Sequence, residues 1–422
     1  MQFESNTNKN GILSLKFVNI IIWFYGVRAT IDVWLAFAQV QYSPVLYWLK
    51  IFFVYVTPLL GVLYVFHKRI FSLTRLRMIL PIFIYWLFQV FHTYGGYQGD
   101  YIIALIAISC FMLMEPEIKR EAFRTFYWIV QITNIIAILV YLFFILGINI
   151  GFSTVPYYEE FQAVRGYVYY KWFAFAIFSR PLSGFNICSI FNEPGALATC
   201  CAFLFIATNR YSKIWEKVVL LLTIFLTFSL AGYILLFGYF AIYMYRKNWK
   251  NIIWIAAFAV FFLNIPNIDW GNAQLNALAQ RMAITNGSLA GDNRFWVDFE
   301  AGFNQLRDEG ALWLGKGAGY VIQTAAPTST YRTWIVQYGY IGFIIFLTTW
   351  VLCAYRETEG NKDCIIVLIL FLVSVYQRPL AITNVYGYVY CFGSFEWIKW
   401  KALYSENSNG NRVQGLRRVS GV

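Results

Sequence analysis

Long apolar stretches, separated by short polar loops, run through the whole chain. Segments such as 45–66 and 126–147 are longer than about 20 residues, the length that a helix needs to cross the hydrocarbon core of a bilayer. The pattern predicts an all-α polytopic membrane protein, folded as a single integral membrane domain over residues 1–422. We place about twelve transmembrane helices at 17–39, 45–66, 78–95, 101–114, 125–147, 193–208, 217–229, 231–245, 252–265, 333–354, 364–376 and 384–400.

One pair of these spans allows two arrangements. Residues 217–229 and 231–245 form either two short helices that meet near 229–232 or one long tilted helix.

The short loops carry most of the positive charge. Lys and Arg collect in 67–77, 115–124, 209–217 and 245–251 and in the tail after residue 400. With the span count above, all of these segments fall on one side, and loops rich in Lys and Arg face the cytoplasm. The sequence therefore predicts that both termini are cytoplasmic, with 401–422 as a cytoplasmic tail.

Two long loops lie on the opposite, outer side, at 148–192 and 266–332. The first contains an aromatic segment, 166–178, which is too short to span and is typical of an interfacial or re-entrant segment. The second is expected to form a partly helical cap over the active site. Its predicted helices are 293–309, which begins after Asp292 and presents a row of aromatic and aliphatic residues on one face, and a shorter one around 272–284.

Composition narrows the class of function. The chain is 59% hydrophobic and 13% charged, whereas soluble domains carry about 25% charged residues. The net charge of +12 lies in loops and not on a basic soluble domain, so no nucleic-acid partner is expected. The seven cysteines have no metal-ligand spacing and the two histidines are far apart, so we expect no metal site and no cofactor.

The outer segments prefer arginine to lysine. Together with a short outer segment near 377–383, the two outer loops hold two lysines, Lys171 and Lys316, and seven arginines: Arg165, Arg180, Arg281, Arg294, Arg307, Arg332 and Arg378. Guanidinium is a planar fork that matches phosphate oxygens, whereas the lysine ammonium is a hydrated point charge. For a single arginine, pairing with a nearby carboxylate is the favoured interpretation. For the set, we expect a cluster that binds an anion outside the membrane.

A second outer feature is the sequence SRPLSGFNICSIFNEPGALATC at 179–200. Proline favours the first position of a helix, and the residue before it is excluded from the helical region. We therefore expect a helix that begins at Pro194, with Glu193 at its cap. Glu193 has three possible roles: a structural helix cap, a general base, or a group that orients an arginine.

The glycine-rich segment 315–319 (GKGAG) has two interpretations. Its spacing does not fit a P-loop, because no Ser or Thr follows Lys316. A plain turn is favoured, and a loop whose N–H groups bind an anion is the alternative.

Together these features resemble the O-antigen polymerase (Wzy-type) family of the O-antigen polymerase and ligase superfamily. The resemblance spans roughly residues 180–345. It is carried by R-x-x-S-G-F…F-N-E-P-G-A-L-A at 180–198, T-x-S-x-A-G at 227–232, N-R-F-W at 293–296, L-G-K-G-A-G at 314–319 and T-Y-R-T-W-I-V-Q-Y-G-Y-I-G-F at 330–343. Related ligases carry a His-Asn pair where this chain has Tyr331 and Arg332, which favours a polymerase and leaves the base open.

The resemblance implies a glycosyltransferase in the bacterial inner membrane. Such an enzyme joins oligosaccharide units, carried on undecaprenyl pyrophosphate, into O-antigen or capsular polysaccharide at the periplasmic face. Its partners would be this glycan carrier, membrane lipid and a chain-length regulator protein; the oligomeric state is not predicted. We expect catalytic roles for Glu193, Arg180 and Arg294, and substrate binding by Arg281, Arg332, Arg378, Lys316 and Tyr331.

Two other functions remain open. A transporter or flippase for lipid-linked glycan should show internal repeats and charged groups at mid-depth, and the sequence shows no similar halves. A ligase-like enzyme would place the glycan on a different acceptor.

Overall fold

The structure, a computed structural model, describes residues 9–31, 43–68, 79–80, 83, 90–95, 101–156, 168–180, 184–271, 273–280, 283–285, 288–289, 297–323, 331–376 and 384–419. The protein is mostly helical. The helices are α1 (Lys9–Ile31), α2 (Pro44–Lys68), α3 (Tyr101–Leu113), α4 (Pro116–Ile145), α5 (Pro194–Thr208), α6 (Ile214–Leu226), α7 (Leu230–Lys247), α8 (Ile252–Asn264), α9 (Ala273–Gln280), α10 (Val297–Asp308), α11 (Tyr320–Gln323), α12 (Tyr331–Glu357), α13 (Lys362–Val375) and α14 (Val385–Val419).

Each predicted span except 78–95, most of which lies outside the described residues, overlaps one of these helices. Four helical segments are long and apolar enough to cross a membrane: Pro44–Lys68, Pro116–Ile145, Trp249–Asn267 and Tyr331–Glu357. The expectation of a helical membrane protein is confirmed at this level, and the count of twelve stays a prediction. The pair of uncertain spans forms two helices, α6 and α7, joined by a turn at Thr227–Ser229.

Helix α5 lies at the centre of the bundle. From Leu197 to Thr208 every one of its side chains is buried, and it contacts α6, α7, α13 and α14. Helix α7 approaches it closely at Gly232, where a methyl group would lie only 2.8 Å from the Cβ of Ala198. Small residues at such a crossing let two helix backbones come together.

Ion pairs gather several helix ends at one end of the bundle, which we call the basic end. Here Lys119 at the start of α4 lies 3.6 Å from Glu357 at the end of α12. Asp363 at the start of α13 bonds Arg210 and Arg246, which follow α5 and close α7. The basic loops 115–124, 209–217 and 245–251 therefore meet at the same end, as the topology requires.

A four-stranded antiparallel sheet occupies the opposite end, which we call the sheet end. Its strands pair in the order β1 (Ser153–Pro156), β2 (Val168–Trp172), β3 (Phe175–Arg180) and β4 (Gly184–Ser189). One face packs Tyr169, Phe178 and Cys188 against Leu46 of α2. The other meets Phe144 of α4, whose ring lies 4.8 Å from the rings of Tyr170 and of Phe185.

These strands are a difference from the sequence analysis, which expected an interfacial or re-entrant segment over 166–178. Both faces of the sheet are covered, so the strands lack the alternation of apolar and polar residues that marks a half-exposed strand. An aromatic apolar run of that length fits either structure by pattern alone.

The outer loop 266–332 contains the cap. Helix α10 buries Phe299, Phe303 and Leu306 against Leu312, Val321, Ile335 and Val336. The predicted amphipathic helix is confirmed from residue 297 onward, and Gly310 with φ 71° ends it. The second predicted helix is shorter than expected, since α9 is Ala273–Gln280 and the strand β5 (Ile284–Thr285), paired with β6 (Ser288–Leu289), already begins at residue 284.

Candidate functional site

Strand β4 leads from the outer rim of the sheet end down to the start of α5. The hydroxyl of Tyr141 donates to the carbonyl of Phe185 over 3.1 Å, and the Ser189 hydroxyl donates to the carbonyl of Thr133 over 3.4 Å. Thr133 and Tyr141 lie on the same helix, so these bonds mark two levels about 12 Å apart along α4 at 1.5 Å per residue. The chain between β4 and α5 is therefore recessed relative to the rim.

Glu193 stands at this recessed position, as the N-cap residue of α5. Its backbone is extended, with φ −159° and ψ 155°, and its carbonyl accepts the N–H groups of Ala196 and Leu197. The predicted helix start at Pro194 is confirmed. The side chain is half-buried and makes no capping hydrogen bond to the first turn of α5. The structural-cap role does not apply, because the carboxylate does not satisfy the N–H groups that a cap residue bonds.

Tyr169 holds this segment in place, although no motif in the sequence indicates such a role. Its side chain is buried in the sheet, and its hydroxyl donates to the carbonyl of Asn192, the residue before Glu193. Its ring packs on Phe178, its cross-strand neighbour. Nothing marks Tyr169 among the 31 tyrosines of the chain, since only the tertiary fold brings β2 to residue 192.

Arg180 and Glu193 lie at opposite ends of the β3–β4 hairpin. Arg180 is the last residue of β3 and pairs with Gly184, at the tip of the β3–β4 hairpin, while Ser189 pairs with Ala176 at the other end. Five residues of strand separate Gly184 from Ser189, a length of about 17 Å. The two charged residues of the sequence 179–200 are thus at different levels: Arg180 at the rim and Glu193 in the recess.

Three other predicted site residues surround the first two turns of α12. Arg332 and Tyr331 begin the helix, and the Tyr331 ring stacks on Tyr376 at the end of α13, with centroids 5.0 Å apart. The backbone N–H of Lys316 donates to the carbonyl of Val336, one turn further along the same helix. The structure therefore brings Tyr331, Arg332 and Lys316 into one region of the sheet end.

Both outer arginines whose side chains are described pair with a carboxylate. Arg332 lies 3.4 Å from Glu300 and also covers the ring of Phe303, and Arg307 lies 3.2 Å from Asp308. The pairing favoured for a single arginine is confirmed at these two positions. Such exposed pairs contribute about 0–1 kcal/mol, so a phosphate could displace them.

Burial lowers the pKa of the outer Lys171 below its ordinary value.

The glycine-rich segment 315–319 is a structural junction. Its five backbone N–H groups donate, in chain order, to the carbonyls of Ala311, Val336, Gln337 and His92 and to the side-chain oxygen of Gln337. No N–H group of this segment is therefore left to face an anion, so the anion-binding alternative is wrong and the plain turn is confirmed.

The partner of this junction is a break in α12. Gly339 lies within the bounds of α12 but has non-helical backbone angles, φ 72° and ψ 170°. The backbone of Trp313 and Leu314 fills the space beside it. Non-helical backbone inside a membrane protein is tolerated where protein surrounds it.

An apolar groove of about 1030 Å³ lies between α6, α7 and α8. Its walls are aromatic and aliphatic, among them Phe225, Phe240 and Phe258, and it reaches Ile265 and Leu275 where the outer loop begins. Helix α8 has no buried residue, so one side of the groove is open along the bundle surface.

Four predicted site positions cannot be placed at side-chain level. Arg281, Arg294 and Arg378 lie outside the described residues, and only the backbone of Arg180 is described. Within the part of the chain that the structure describes, no group of three or more His, Cys, Asp or Glu side chains could hold a metal ion.

Comparison of the chain with protein-family models, curated proteins and solved structures finds no match.

Proposed function

We propose that the protein is a glycan polymerase that joins lipid-linked oligosaccharide units at the outer face of the bacterial inner membrane. The donor is a growing glycan on undecaprenyl pyrophosphate, and the acceptor is a hydroxyl group on the incoming unit. The products are O-antigen or capsular chains, and no metal ion takes part.

The observation that carries the proposal is the position of Glu193. It is a half-buried carboxylate at the N-terminus of the buried helix α5, and it does not cap that helix. The positive end of the helix dipole favours an ionised carboxylate. An ionisable group within a membrane-spanning bundle is expensive and is retained there mostly for function.

In the proposed reaction, the acceptor oxygen attacks the anomeric carbon of the donor sugar. The bond between that carbon and the pyrophosphate oxygen breaks, and the bond electrons leave with the pyrophosphate. Glu193 takes the proton of the acceptor hydroxyl. Cationic groups, for which Arg332, Lys316 and Arg180 are the candidates with a described position, stabilise the charge on the leaving group.

The apolar groove supports a lipid-borne substrate. It opens along the bundle surface and extends to the start of the outer loop at Ile265. A polyprenyl chain can enter such a groove from the bilayer without crossing water, while its pyrophosphate stays at the sheet end.

The central test replaces Glu193 by Gln in a strain that lacks its own polymerase. General-base catalysis contributes about 10²–10⁴-fold to the rate, so Glu193→Gln should leave single repeat units in place of the long-chain ladder. Glu309→Gln is the matched control, because Glu309 is an exposed carboxylate on the cap that accepts a hydrogen bond from its neighbour Gln305. A full ladder from Glu193→Gln at normal membrane abundance would refute the assignment.

A second experiment tests Tyr169 as a positioning residue. Tyr169→Phe removes the hydroxyl bond to the Asn192 carbonyl and should lower kcat several-fold while KM for the lipid-linked unit stays near its wild-type value. Tyr170→Phe on the same strand is the control, because that ring packs on Phe144. Equal effects of the two variants would assign Tyr169 a merely structural role.

The same assays separate the alternatives. A transporter would change the amount of glycan translocated with no change in chain length, and a ligase would transfer glycan to a new acceptor. The central helix α5 carries no charged residue from Pro194 to Thr208, which disfavours a transport path for a charged headgroup along it.

A further inference from the structure

A polar cavity of about 590 Å³ lies at the basic end, far from the proposed catalytic recess. It is bounded by the C-terminal ends of α5 and α7 and by the N-terminal ends of α6 and α13. Four cationic residues line it, Arg210, Lys217, Arg246 and Lys247, against one carboxylate, Asp363. The lining therefore carries a net charge of about +3.

The two arginines are held in a defined arrangement. Arg246 donates to one oxygen of Asp363 over 2.8 Å, and Arg210 donates to the other over 3.1 Å. Asp363 is itself fixed, because Asn361 caps α13 by accepting the N–H groups of Asp363 and Cys364. Each guanidinium has several N–H donors and gives one of them to Asp363 in these bonds, so the fork geometry that suits phosphate oxygens stays available.

The surroundings of the cavity fit a lipid. Its lining includes the apolar side chains Ile206, Ile366 and Ile398 as well as Tyr243. The helix pair α6 and α7 that contributes Lys217 and Arg246 also lines the apolar groove, through Phe225 and Phe240. The cationic cavity and the apolar groove thus share two helices: Lys217 precedes Leu221 on α6, and the two linings interleave along α7.

We propose that this cavity binds the phosphate of an anionic membrane phospholipid. The phosphate lies among Arg210, Arg246, Lys217 and Lys247, and the acyl chains extend along the adjacent apolar surface. Basic pockets between helices at the cytoplasmic side of membrane proteins bind anionic headgroups in this way. The site is at the opposite end of the bundle from Glu193, and the proposal does not rest on the proposed function.

The test uses the purified full-length protein in detergent micelles that contain phosphatidylglycerol. Native mass spectrometry counts bound lipid, and the thermal unfolding midpoint is followed as lipid is added. The wild type should retain phosphatidylglycerol and show a saturable rise in the midpoint. Phosphatidylcholine should give a smaller rise, and inorganic phosphate or glycerol 3-phosphate should give little, because neither carries acyl chains.

The decisive variant is Lys217→Gln/Lys247→Gln, because it leaves the ion pairs of Arg210 and Arg246 with Asp363 intact. A lysine near a phosphate contributes roughly fivefold in affinity, so the double variant should bind about 25-fold more weakly. Lys213→Gln/Lys250→Gln is the matched control. It removes the same charge from exposed positions outside the cavity lining on the same end, and it should keep wild-type affinity within about twofold.

Three results would overturn the proposal. Equal losses in the two double variants would indicate general attraction to basic loops. Equal effects of phosphatidylcholine and phosphatidylglycerol would exclude an anion site. Saturable binding of inorganic phosphate as tight as that of the lipid would assign the cavity to a soluble phosphate.

Discussion

Replacing Gly339 by Ala should strongly destabilise the packing at the sheet end. Gly339 has φ 72° and ψ 170°, a conformation that costs a residue with a Cβ about 1–3 kcal/mol. An added Cβ would also lie 2.2 Å from the carbonyl oxygen of Trp313 and 2.5 Å from the carbonyl carbon of Leu314. Both are backbone atoms, so they cannot rotate away.

The clash of the added Cβ with the backbone of Trp313 and Leu314 is a second cost. Overpacking in a core costs about 1–3 kcal/mol, and the two costs together predict a loss of about 4 kcal/mol for Gly339→Ala. The displaced backbone of Trp313 and Leu314 lies just before Lys316 and Gly317, whose N–H groups donate to the carbonyls of Val336 and Gln337. We therefore expect the junction at 315–319 to open, with faster hydrogen exchange there than in α4.

Two other glycines separate the cost of the backbone conformation from the cost of the steric clash. Gly302 lies inside α10 and Gly310 ends it with φ 71°, and an added Cβ would meet nothing within 4 Å at either position. Gly302→Ala should stabilise the helix by about 0.5–1 kcal/mol, and Gly310→Ala should cost about 1 kcal/mol through its backbone alone. Thermal unfolding in detergent, followed by tryptophan fluorescence, measures all three. If Gly339→Ala unfolds at the same temperature as Gly310→Ala, the close backbone contact does not exist.

Two further changes test the packing of the bundle. Gly232→Ala should cost about 1–3 kcal/mol by pushing α7 away from α5. Adding Ala198→Gly should restore much of this loss in the double variant. If the two substitutions give additive losses in thermal unfolding, the contact between residues 232 and 198 is contradicted. Glu357→Gln leaves the buried ammonium of Lys119 with a weaker partner and should cost about 3 kcal/mol. Its control, Glu359→Gln, changes an exposed carboxylate and should cost less than about 1 kcal/mol. Equal shifts of the two unfolding midpoints would contradict the burial of the Lys119 pair.

Local rules were enough for the helix ends. The start of α5 at Pro194 and the end of the cap helix before Gly310 both depend on backbone preferences of one or two residues. The apolar face of Phe299, Phe303 and Leu306 follows from helical spacing. These features could be predicted because their causes lie within a few residues along the chain.

The sheet could not be predicted in the same way. One face packs on Leu46 of α2 and the other on Phe144 of α4, and 166–178 reads as an aromatic apolar run interrupted only by Lys171. The choice between a buried strand and an interfacial segment depends on what covers each face. That is decided by Leu46 and Phe144, which are distant in sequence.

Long-range partners also decided what the polar groups do. The glycine segment 315–319 lost its anion-binding alternative only when His92, Val336 and Gln337 were found to accept its N–H groups. Arg332 has Glu300 as its partner, and nothing in the sequence around either residue indicates the pair.

The sequence by itself determined that the protein is a helical membrane protein, where most helices lie, and that Glu193 stands at a helix start. Hydrophobic length and backbone preference are local properties, so they can be read along the chain. Only the tertiary structure decided that Tyr169 holds residue 192, that Arg180 stands at the rim while Glu193 is recessed, and that the basic loops enclose a cavity. These depend on which distant segments meet, since a hydrogen bond or an ion pair forms only where folding brings both partners within a few ångströms.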